Sequence, residues 1–291
     1  MANLANLIIA GLATGAIYAL VAIGFTLLWQ TSQTINFAQG EFVMLPSFFM
    51  LIAMNHGLPF WAAVLVGIVA SALVMGAAFK RLLVDPMLRQ GVLPLAIATL
   101  ALSIFMKEVV KEFYSAEAQP FPFVLPSVNV AILGVPVSLQ SLGAFAFCVA
   151  AVVALQLLLA RTLLGRQMQA TAQNSTVARI LGVPVERMIL YTFLINAVLV
   201  ALAAVMVTPI YLAKFSNGEV LGLAAFIAAI VGGFNQIRGA IAGGLLLGVV
   251  DNLAAAYVST QYRGAIPLFL LIAVILLRPQ GLFGRAEERT V

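Results

Sequence analysis

Residues Leu4–Trp29 read LANLIIAGLATGAIYALVAIGFTLLW and contain no Asp, Glu, Lys or Arg. A helix needs about 20 predominantly apolar residues to cross the hydrocarbon core of a bilayer. Uncharged sequence surrounds this run and extends from residue 1 to residue 40. No positively charged segment precedes the run, and its apolar part is far longer than the core of a signal peptide. The run therefore predicts a membrane-spanning helix that is retained in the protein.

The composition extends this prediction to the whole chain. Of 291 residues, 63% are hydrophobic and only 9% are charged, whereas about a quarter of an ordinary soluble domain is charged. Stretches such as 266–277 lack the period-two alternation of a membrane β-barrel strand. The sequence predicts an all-α fold: a polytopic membrane helix bundle of eight to ten transmembrane or half-spanning helices, forming one domain over 1–291. Candidate helices lie near 4–29, 42–55, 59–79, 91–110, 140–160, 189–212, 220–237, 240–258 and 264–278.

Other classes of protein are excluded by what the chain lacks. The 15 Lys and Arg residues are scattered and form no stripe that could follow a phosphate backbone, so no nucleic-acid partner is expected. The single cysteine, Cys148, lies in an apolar run, and the single histidine, His56, lies in a predicted loop. Neither a metal site nor a catalytic nucleophile and base can be built from them. No Gly-Lys pair occurs, so the chain has no phosphate-binding P-loop.

The basic residues predict the orientation in the membrane, because cytoplasmic loops carry an excess of Lys and Arg. If all nine segments cross, eleven basic residues fall on one side and four on the other. This asymmetry predicts a cytoplasmic carboxyl terminus, a cytoplasmic loop at 161–188 and an external amino terminus. The larger set is Lys80, Arg81, Arg89, Arg161, Arg166, Arg179, Arg187, Arg238, Arg278, Arg285 and Arg289, and the smaller set is Lys107, Lys111, Lys214 and Arg263.

Two short segments resemble one another. FAQGEFVMLPSFFMLI at 37–52 aligns without gaps with FSNGEVLGLAAFIAAI at 215–230, and six of the sixteen positions are identical, including a Gly-Glu pair. Internal duplication and chance explain this match about equally well. Transporters commonly build a binding region from short helices at corresponding places in two halves, and segment 42–55 would span only about 21 Å. We therefore predict that both helix starts line a transport pathway.

The chemistry of these helix starts suits a zwitterion. Free backbone N–H groups at the start of a helix can bind a carboxylate, while a nearby glutamate can bind an ammonium group. The structural alternative, which is favoured because acids are common at helix starts, is that Glu41 and Glu219 only stabilise their own helix starts. Ser216 and Glu219 would fit a capping box, whereas Ala38 cannot cap a helix. The candidate substrate-pathway residues are Asn36, Gln39, Gly40, Glu41, Asn217, Gly218 and Glu219.

Asp251 is a further acid inside an apolar stretch, near residues that favour close helix packing. Because a charge inside the membrane is costly, Asp251 should face protein, water or a partner, and a structural hydrogen bond is favoured over a substrate contact. The glycine-rich tract 232–248 and the glycines of the first helix, Gly11, Gly15 and Gly24, let helices approach closely.

The loop RTLLGRQMQATAQNSTVARILGVPVERM at 161–188 predicts a short helix with a modest apolar face. Such a helix could lie in a groove of a partner protein or rest on the membrane surface, and the residues alone favour neither. One side of it would carry Met168, Thr171, Ala172, Ser175, Ala178 and Leu181.

Five ordered stretches together resemble the inner-membrane permeases of bacterial branched-chain amino acid ABC importers, especially the H-type subunit. They are GLATGAIYALVAIGFTLLW at 11–29, INFAQGEFVML at 35–45, GRQMQATAQNSTVARILGVPVERM at 165–188, AAFIAAIVGGFNQIRGAIAGGLLLGVVDNL at 224–253 and LRPQGLFGR at 277–285. The resemblance covers nearly the whole chain. This sequence departs from the family's usual pattern at Gln169, where Arg is common, at Ala224, where Lys is frequent, and at Asp251, where Glu is usual.

The resemblance implies one half of the translocation pathway of an ATP-driven importer of branched-chain amino acids or similar small polar solutes. It implies a second homologous permease, a periplasmic substrate-binding protein and two cytoplasmic ATPases that bind ATP and Mg, all at the bacterial inner membrane. This chain would bind no cofactor and catalyse no reaction. Alternatives are urea, short amides or aromatic acids as substrates, or a secondary transporter driven by an ion gradient. The 161–188 loop would dock on the ATPase through Gly165, Arg166, Ala170, Ala178 and Gly182.

Overall fold

The computed structural model describes residues 2–88, 90–126, 128–132, 135–258 and 264–284. Among these residues, six helices are long and apolar enough to cross a membrane, and two shorter helices are also apolar. The predicted polytopic membrane helix bundle is confirmed. The described helices are α1 (Ala2–Ser32), α2 (Gln39–Asn55), α3 (Phe60–Leu88), α4 (Val92–Phe113), α5 (Leu139–Arg161), α6 (Leu163–Gln173), α7 (Ser175–Ile180), α8 (Val185–Tyr211), α9 (Asn217–Gly232), α10 (Ile237–Tyr257) and α11 (Ala265–Leu277).

Each of the nine predicted segments falls on one of these helices, but some predicted boundaries are wrong. The helix predicted at 220–237 ends at Gly232, and α10 begins only at Ile237. Gly233 has a φ of +110°, a conformation that glycine adopts without steric cost, so the chain can turn there. Hydropathy does not report this turn, because the residues on both sides of it are apolar.

The third helix extends beyond its predicted end and is irregular. It is α-helical over Phe60–Ser71, has π-helical turns at Ala72–Ala78 and Lys80–Val84, and closes with a turn at Asp85–Leu88. In a π turn each N–H bonds five residues back, so the turn is wider than an α turn. Within this irregular part, Lys80 is only 5% exposed and its ammonium group lies 2.9 Å from the Asp85 carboxylate.

A short β-hairpin precedes α5, in a stretch for which no strand is predicted. Its antiparallel strands are β1 (Asn129–Ile132) and β2 (Val135–Ser138), with Asn129 opposite Ser138 and Ile132 opposite Val135. Two of the four residues in each strand are Val or Ile, and such β-branched residues favour extended structure. The uncharged run 118–160 thus contains a hairpin as well as a helix, which a count of charges does not reveal.

The chain falls into two compact units. One comprises Met1–Thr26, Leu125–Val149 and Leu223–Val291, and the other comprises Leu27–Val124 and Ala150–Gly222. In the first unit, α1 and α10 approach at glycines: a Cβ on Gly15 would lie 2.8 Å from the Leu245 Cα, and one on Gly11 would lie 2.7 Å from the Val249 Cα. The predicted close packing at small residues is confirmed for this pair of helices. The single domain over 1–291 stays a prediction.

In the second unit, α2, α3 and α8 form an aromatic core. The ring centroids of Phe42 and Phe79 are 5.0 Å apart, and those of Phe79 and Phe193 are 5.8 Å apart. All three side chains are buried. Gly67 of α3 leaves room for Met50 of α2, because a Cβ there would collide with the methionine side chain. This packing fixes the position of the first turn of α2.

Two members of the larger basic set contact the same glutamate in the second unit. Lys80 and Arg179, both from the larger basic set, each lie 3.4 Å from a carboxylate oxygen of Glu186. At the other group of ends, Lys107 pairs with Glu219, and Gln119 pairs through backbone hydrogen bonds with Ala213, next to Lys214. Four further residues of the predicted sets lie outside the described residues: Arg89, Arg263, Arg285 and Arg289.

Candidate functional site

The two similar segments meet where α2 and α9 begin. A Cβ on Gly40 would collide with the Gly218 carbonyl, and a Cβ on Gly222 would lie 2.7 Å from the Gly40 Cα. The two helices therefore touch backbone to backbone, and three glycines make this approach possible. The structure brings together the two Gly-Glu pairs that the sequence comparison singles out.

Charged side chains surround this glycine contact. Glu41 is 2% exposed, and Ser103 of α4 interacts with its carboxyl group. Glu219 lies nearer the surface, and its Oε2 is 2.8 Å from the Lys107 Nζ, also on α4. The Glu41 carboxyl group also interacts electrostatically with Lys107 and with Glu219. Lys107 is absent from the predicted pathway residues, because its position near Lys111 and two glutamates indicates a solvated helix end.

A buried amide pair anchors the start of α2. Gln39 Nε2 donates to Asn196 Oδ1 at 2.7 Å, and Asn196 Nδ2 donates to Gln39 Oε1 at 2.9 Å. Asn36 accepts from the backbone N–H groups of Ala38, through its side chain, and of Gln39, through its carbonyl. Asn36 and Gln39 therefore hold the helix start in place with their own polar groups. Asn196 is not among the predicted site residues, because a single polar residue in an apolar helix does not indicate which residue it will contact.

Asn217 lies beside a small cavity at the start of α9. Its side-chain amide donates to the Leu212 carbonyl at 2.6 Å. The cavity has room for about one water molecule and is too small for an amino acid. Its polar lining comes from Asn217, Lys214 and the hydrogen-bonded hydroxyl groups of Ser47 and Thr208. This cavity lies beside the glycine contact and holds no solute larger than water.

Asp251 lies in the first compact unit. The Tyr18 hydroxyl of α1 donates to its Oδ2 at 3.1 Å, and both side chains are buried. Tyr18 is thus a hydrogen-bond partner of Asp251 that the sequence did not identify. A hydrogen bond between two buried side chains of neighbouring helices supports a structural role for this acid.

The 161–188 segment forms two helices instead of the single helix predicted. The break is at Asn174, which ends α6 and caps α7 by accepting from the Val177 N–H at 3.0 Å. Thr162 caps α6 by accepting from the Gly165 N–H at 3.0 Å. Gly165 packs so closely on the end of α5 that a Cβ would collide with the Leu159 backbone. Met168, Thr171 and Ala178 are buried as well.

The opposite side of α6 and α7 exposes large apolar residues. The prediction that Leu181 shares a face with Met168 is wrong, because α6 ends at Gln173 and a separate helix precedes Leu181. Met168 is buried, whereas Leu181 is exposed. Ala170 is half-buried, Arg166 is exposed, and Gly182 has a φ of +82° with open space around it. The exposed apolar side chains are Leu163 at 68%, Val177 at 48%, Ile180 at 79% and Leu181 at 75%.

Comparison with known proteins identifies the family. A family model described as "Branched-chain amino acid transport system / permease component" matches residues 7–275. The chain belongs to this permease family. The permease match spans both copies of the Gly-Glu segment and the whole 161–188 loop. Among the residues that the structure describes, no group of three His, Cys, Asp or Glu side chains could hold a metal ion.

Three curated relatives agree with this assignment. The permease is 33% identical to the high-affinity branched-chain amino acid transport system permease protein BraD of Pseudomonas aeruginosa, over 97% of this chain and 96% of that protein. Permease protein LivH of Escherichia coli is 32% identical, with the same two coverages. The probable branched-chain amino acid transport permease protein LivH of Methanocaldococcus jannaschii is 26% identical, over 91% and 88%. The prediction of a transport permease component, not an enzyme, is confirmed.

Proposed function

We propose that this permease forms one half of the translocation pathway of an ATP-driven importer in the bacterial inner membrane. The observation that carries this proposal is the meeting of two similar Gly-Glu helix starts beside a Lys–Glu ion pair. Charged groups among membrane helices are rare and commonly mark the path of a solute. A second, homologous permease would supply the other half of the pathway.

Branched-chain amino acids are the proposed substrates. BraD and LivH are permease proteins of high-affinity branched-chain amino acid transport systems, and this chain matches both over nearly their full length. Acidic and basic groups at one place in the pathway suit a solute that carries both charges. Urea, short amides and aromatic acids are the substrates of competing proposals.

We further propose that α6 and α7 couple the pathway to two cytoplasmic ATPases, which bind ATP and Mg. These helices are anchored on one side by Gly165, Met168 and Ala178 and expose Ile180 and Leu181 on the other. An anchored segment with exposed apolar side chains can transmit a partner's movement as a rigid body. A periplasmic binding protein would deliver the substrate at the other side of the membrane.

The proposal is tested by reconstitution of the complete importer in liposomes, with the binding protein in the external medium and ATP enclosed in the lumen, which the ATPases face. Radiolabelled leucine should accumulate only with ATP and with both ATPases present. Uptake that requires only a proton or sodium gradient would contradict this mechanism and favour a secondary transporter. Competition with unlabelled leucine, urea, acetamide and phenylalanine then ranks the substrate classes.

The side of the membrane occupied by α6 and α7 gives an independent test. Replacing Cys148 by Ala removes the single cysteine, and Arg166→Cys then places one thiol on the exposed side of α6. A membrane-impermeant maleimide should label this thiol in inverted vesicles and leave it unlabelled in intact cells. Labelling from the outside of cells would rule out contact with a cytoplasmic ATPase and also reverse the proposed cytoplasmic carboxyl terminus.

A further inference from the structure

We infer that Lys107, together with Glu41 and Glu219, binds the two charged groups of a zwitterionic substrate, an inference that rests on the proposed function. The three residues lie on α4, α2 and α9: Lys107 pairs with Glu219, and the backbone of Glu41 adjoins Gly218 at the Gly40–Gly218 contact. In this arrangement Lys107 receives the carboxylate of the amino acid, and the two glutamates face its ammonium group. The residue that selects amino acids would then be a lysine outside both similar segments.

The charge balance of the cluster points to a cationic group in the ligand. Lys107 pairs with Glu219, and the neighbouring Lys111 pairs with Glu108 at 3.0 Å. Among the described residues, this leaves no basic side chain within ion-pair distance of Glu41. A buried carboxylate without a cation is costly, and the neighbouring Ser103 hydroxyl carries no charge. The ammonium group of an amino acid would give the Glu41 carboxylate the cationic partner that it lacks.

The Lys107–Glu219 pair is built to exchange partners. The Lys107 side chain is 27% exposed and the Glu219 side chain is 68% exposed. Ion pairs with this much solvent contact contribute little stability, so opening the pair costs little. When a substrate carboxylate replaces Glu219 at Lys107, the released Glu219 joins Glu41 in facing the ammonium group. Each charged group then faces one of opposite sign, and the two glutamates share the ammonium group.

The backbone offers a poorer receptor for the carboxylate. The N–H groups of Ala38 and Gln39, at the start of α2, already donate to Asn36. At the start of α9, the Asn217 N–H donates to the Lys214 carbonyl. A neutral solute such as urea would separate Lys107 from Glu219 without offering either a new charged partner. The cluster therefore favours zwitterions over neutral amides.

The test compares the double variant Lys107→Gln/Glu219→Gln with the matched double variant Lys111→Gln/Glu108→Gln in the reconstituted importer. The first variant removes an ion pair between α4 and α9, and the second removes one within α4. Both leave the net charge unchanged. The measured quantity is leucine transported per ATP hydrolysed, with subunit co-purification recorded for each variant. We expect this ratio to fall at least about tenfold for the Lys107/Glu219 variant, the loss expected for one charged contact, and to stay unchanged for the control.

The outcomes separate this inference from the proposed function. Absence of ATP-dependent leucine uptake by the wild-type importer contradicts the proposed function itself. Wild-type activity combined with a normal ratio in the Lys107/Glu219 variant overturns only the zwitterion site. If that variant does not assemble, the variant Lys107→Glu/Glu219→Lys is measured instead. It keeps an ion pair between the two positions but reverses the charges. A low ratio in the assembled reversed variant supports the site, and a wild-type ratio shows that the pair only holds helices together.

Discussion

Gly40 and Gly218 hold α2 and α9 in backbone contact: a Cβ on Gly218 would lie 2.9 Å from both the Gly40 carbonyl carbon and the Glu41 nitrogen. No side chain fits between the two helices at this point. The distance between their first turns, and hence the spacing of Glu41 and Glu219, is set by the absence of two methyl groups. Substitutions at this contact should therefore affect both stability and transport.

Replacing Gly218 by Ala should destabilise the permease by about 1–3 kcal/mol, the usual cost of an extra methyl group in a packed site. Leucine uptake should fall as well, because the helix starts are forced apart. Denaturant unfolding of the purified importer and liposome uptake measure the two effects. Gly264→Ala is the control, since nothing lies within 4 Å of the position of its Cβ. Equal stability of the two variants would show that the contact relaxes without cost.

Replacing Tyr18 by Phe should destabilise the first compact unit without reducing the transport rate of the assembled importer. The change removes the hydroxyl that donates to Asp251 and keeps the ring, and a hydrogen bond to a charged group contributes about 1.5–3 kcal/mol. Tyr257→Phe, at an exposed tyrosine, is the control. A large loss of uptake per assembled importer would assign Asp251 to the transport pathway instead.

The buried amide pair allows a double-mutant cycle. Gln39→Leu alone should cost about 1–3 kcal/mol, because the Asn196 amide loses its hydrogen bonds in a buried place. The double variant Gln39→Leu/Asn196→Leu should be more stable than the sum of the single losses predicts, with a coupling of about 0.5–3 kcal/mol. Unfolding of all four proteins measures this coupling. Purely additive losses would mean that the two amides act independently.

Exposed apolar residues of α7 should govern assembly with the ATPase. The double variant Ile180→Ser/Leu181→Ser removes apolar surface but no internal packing, so membrane insertion and permease pairing should be unchanged. Co-purification with the ATPase and leucine uptake should both fall. Phe113→Ser, at a residue that is 86% exposed at the end of α4, is the control. Full co-purification of the α7 variant would place the ATPase contact elsewhere.

Much of the fold follows from hydropathy, because a membrane span must be a long apolar segment. The repeated Phe-x-x-Gly-Glu pattern also locates two helix starts that the structure brings together. The end of α9 at Gly232 and the π turns of α3 depend on backbone conformation instead, which the apolar character of the residues does not encode. The strands Asn129–Ile132 and Val135–Ser138 escaped prediction because charge and hydropathy do not distinguish their β-branched residues from those of an apolar helix.

The polar contacts were less predictable than the helices. Lys107 lies three residues after Ile104 and four before Lys111, a pattern that is as typical of a helix end at a membrane surface as of a pathway residue. Its partner Glu219 is 112 residues away in the sequence. Asn196 and Tyr18 likewise find their partners only through tertiary packing. Sequence alone can nominate buried polar residues, but it cannot say which of them meet.

The wide turns of α3 are the part of this helix that can best tolerate a length difference of one residue between related chains. A π turn holds about one residue more than an α turn, so its hydrogen bonds can re-form as an α turn after one residue is removed. Elsewhere in a helix, a single deletion rotates every later side chain by about 100° around the helix axis. The stretch Ala72–Ala78 is therefore where the helix can absorb a one-residue length difference with the least disturbance of its ends.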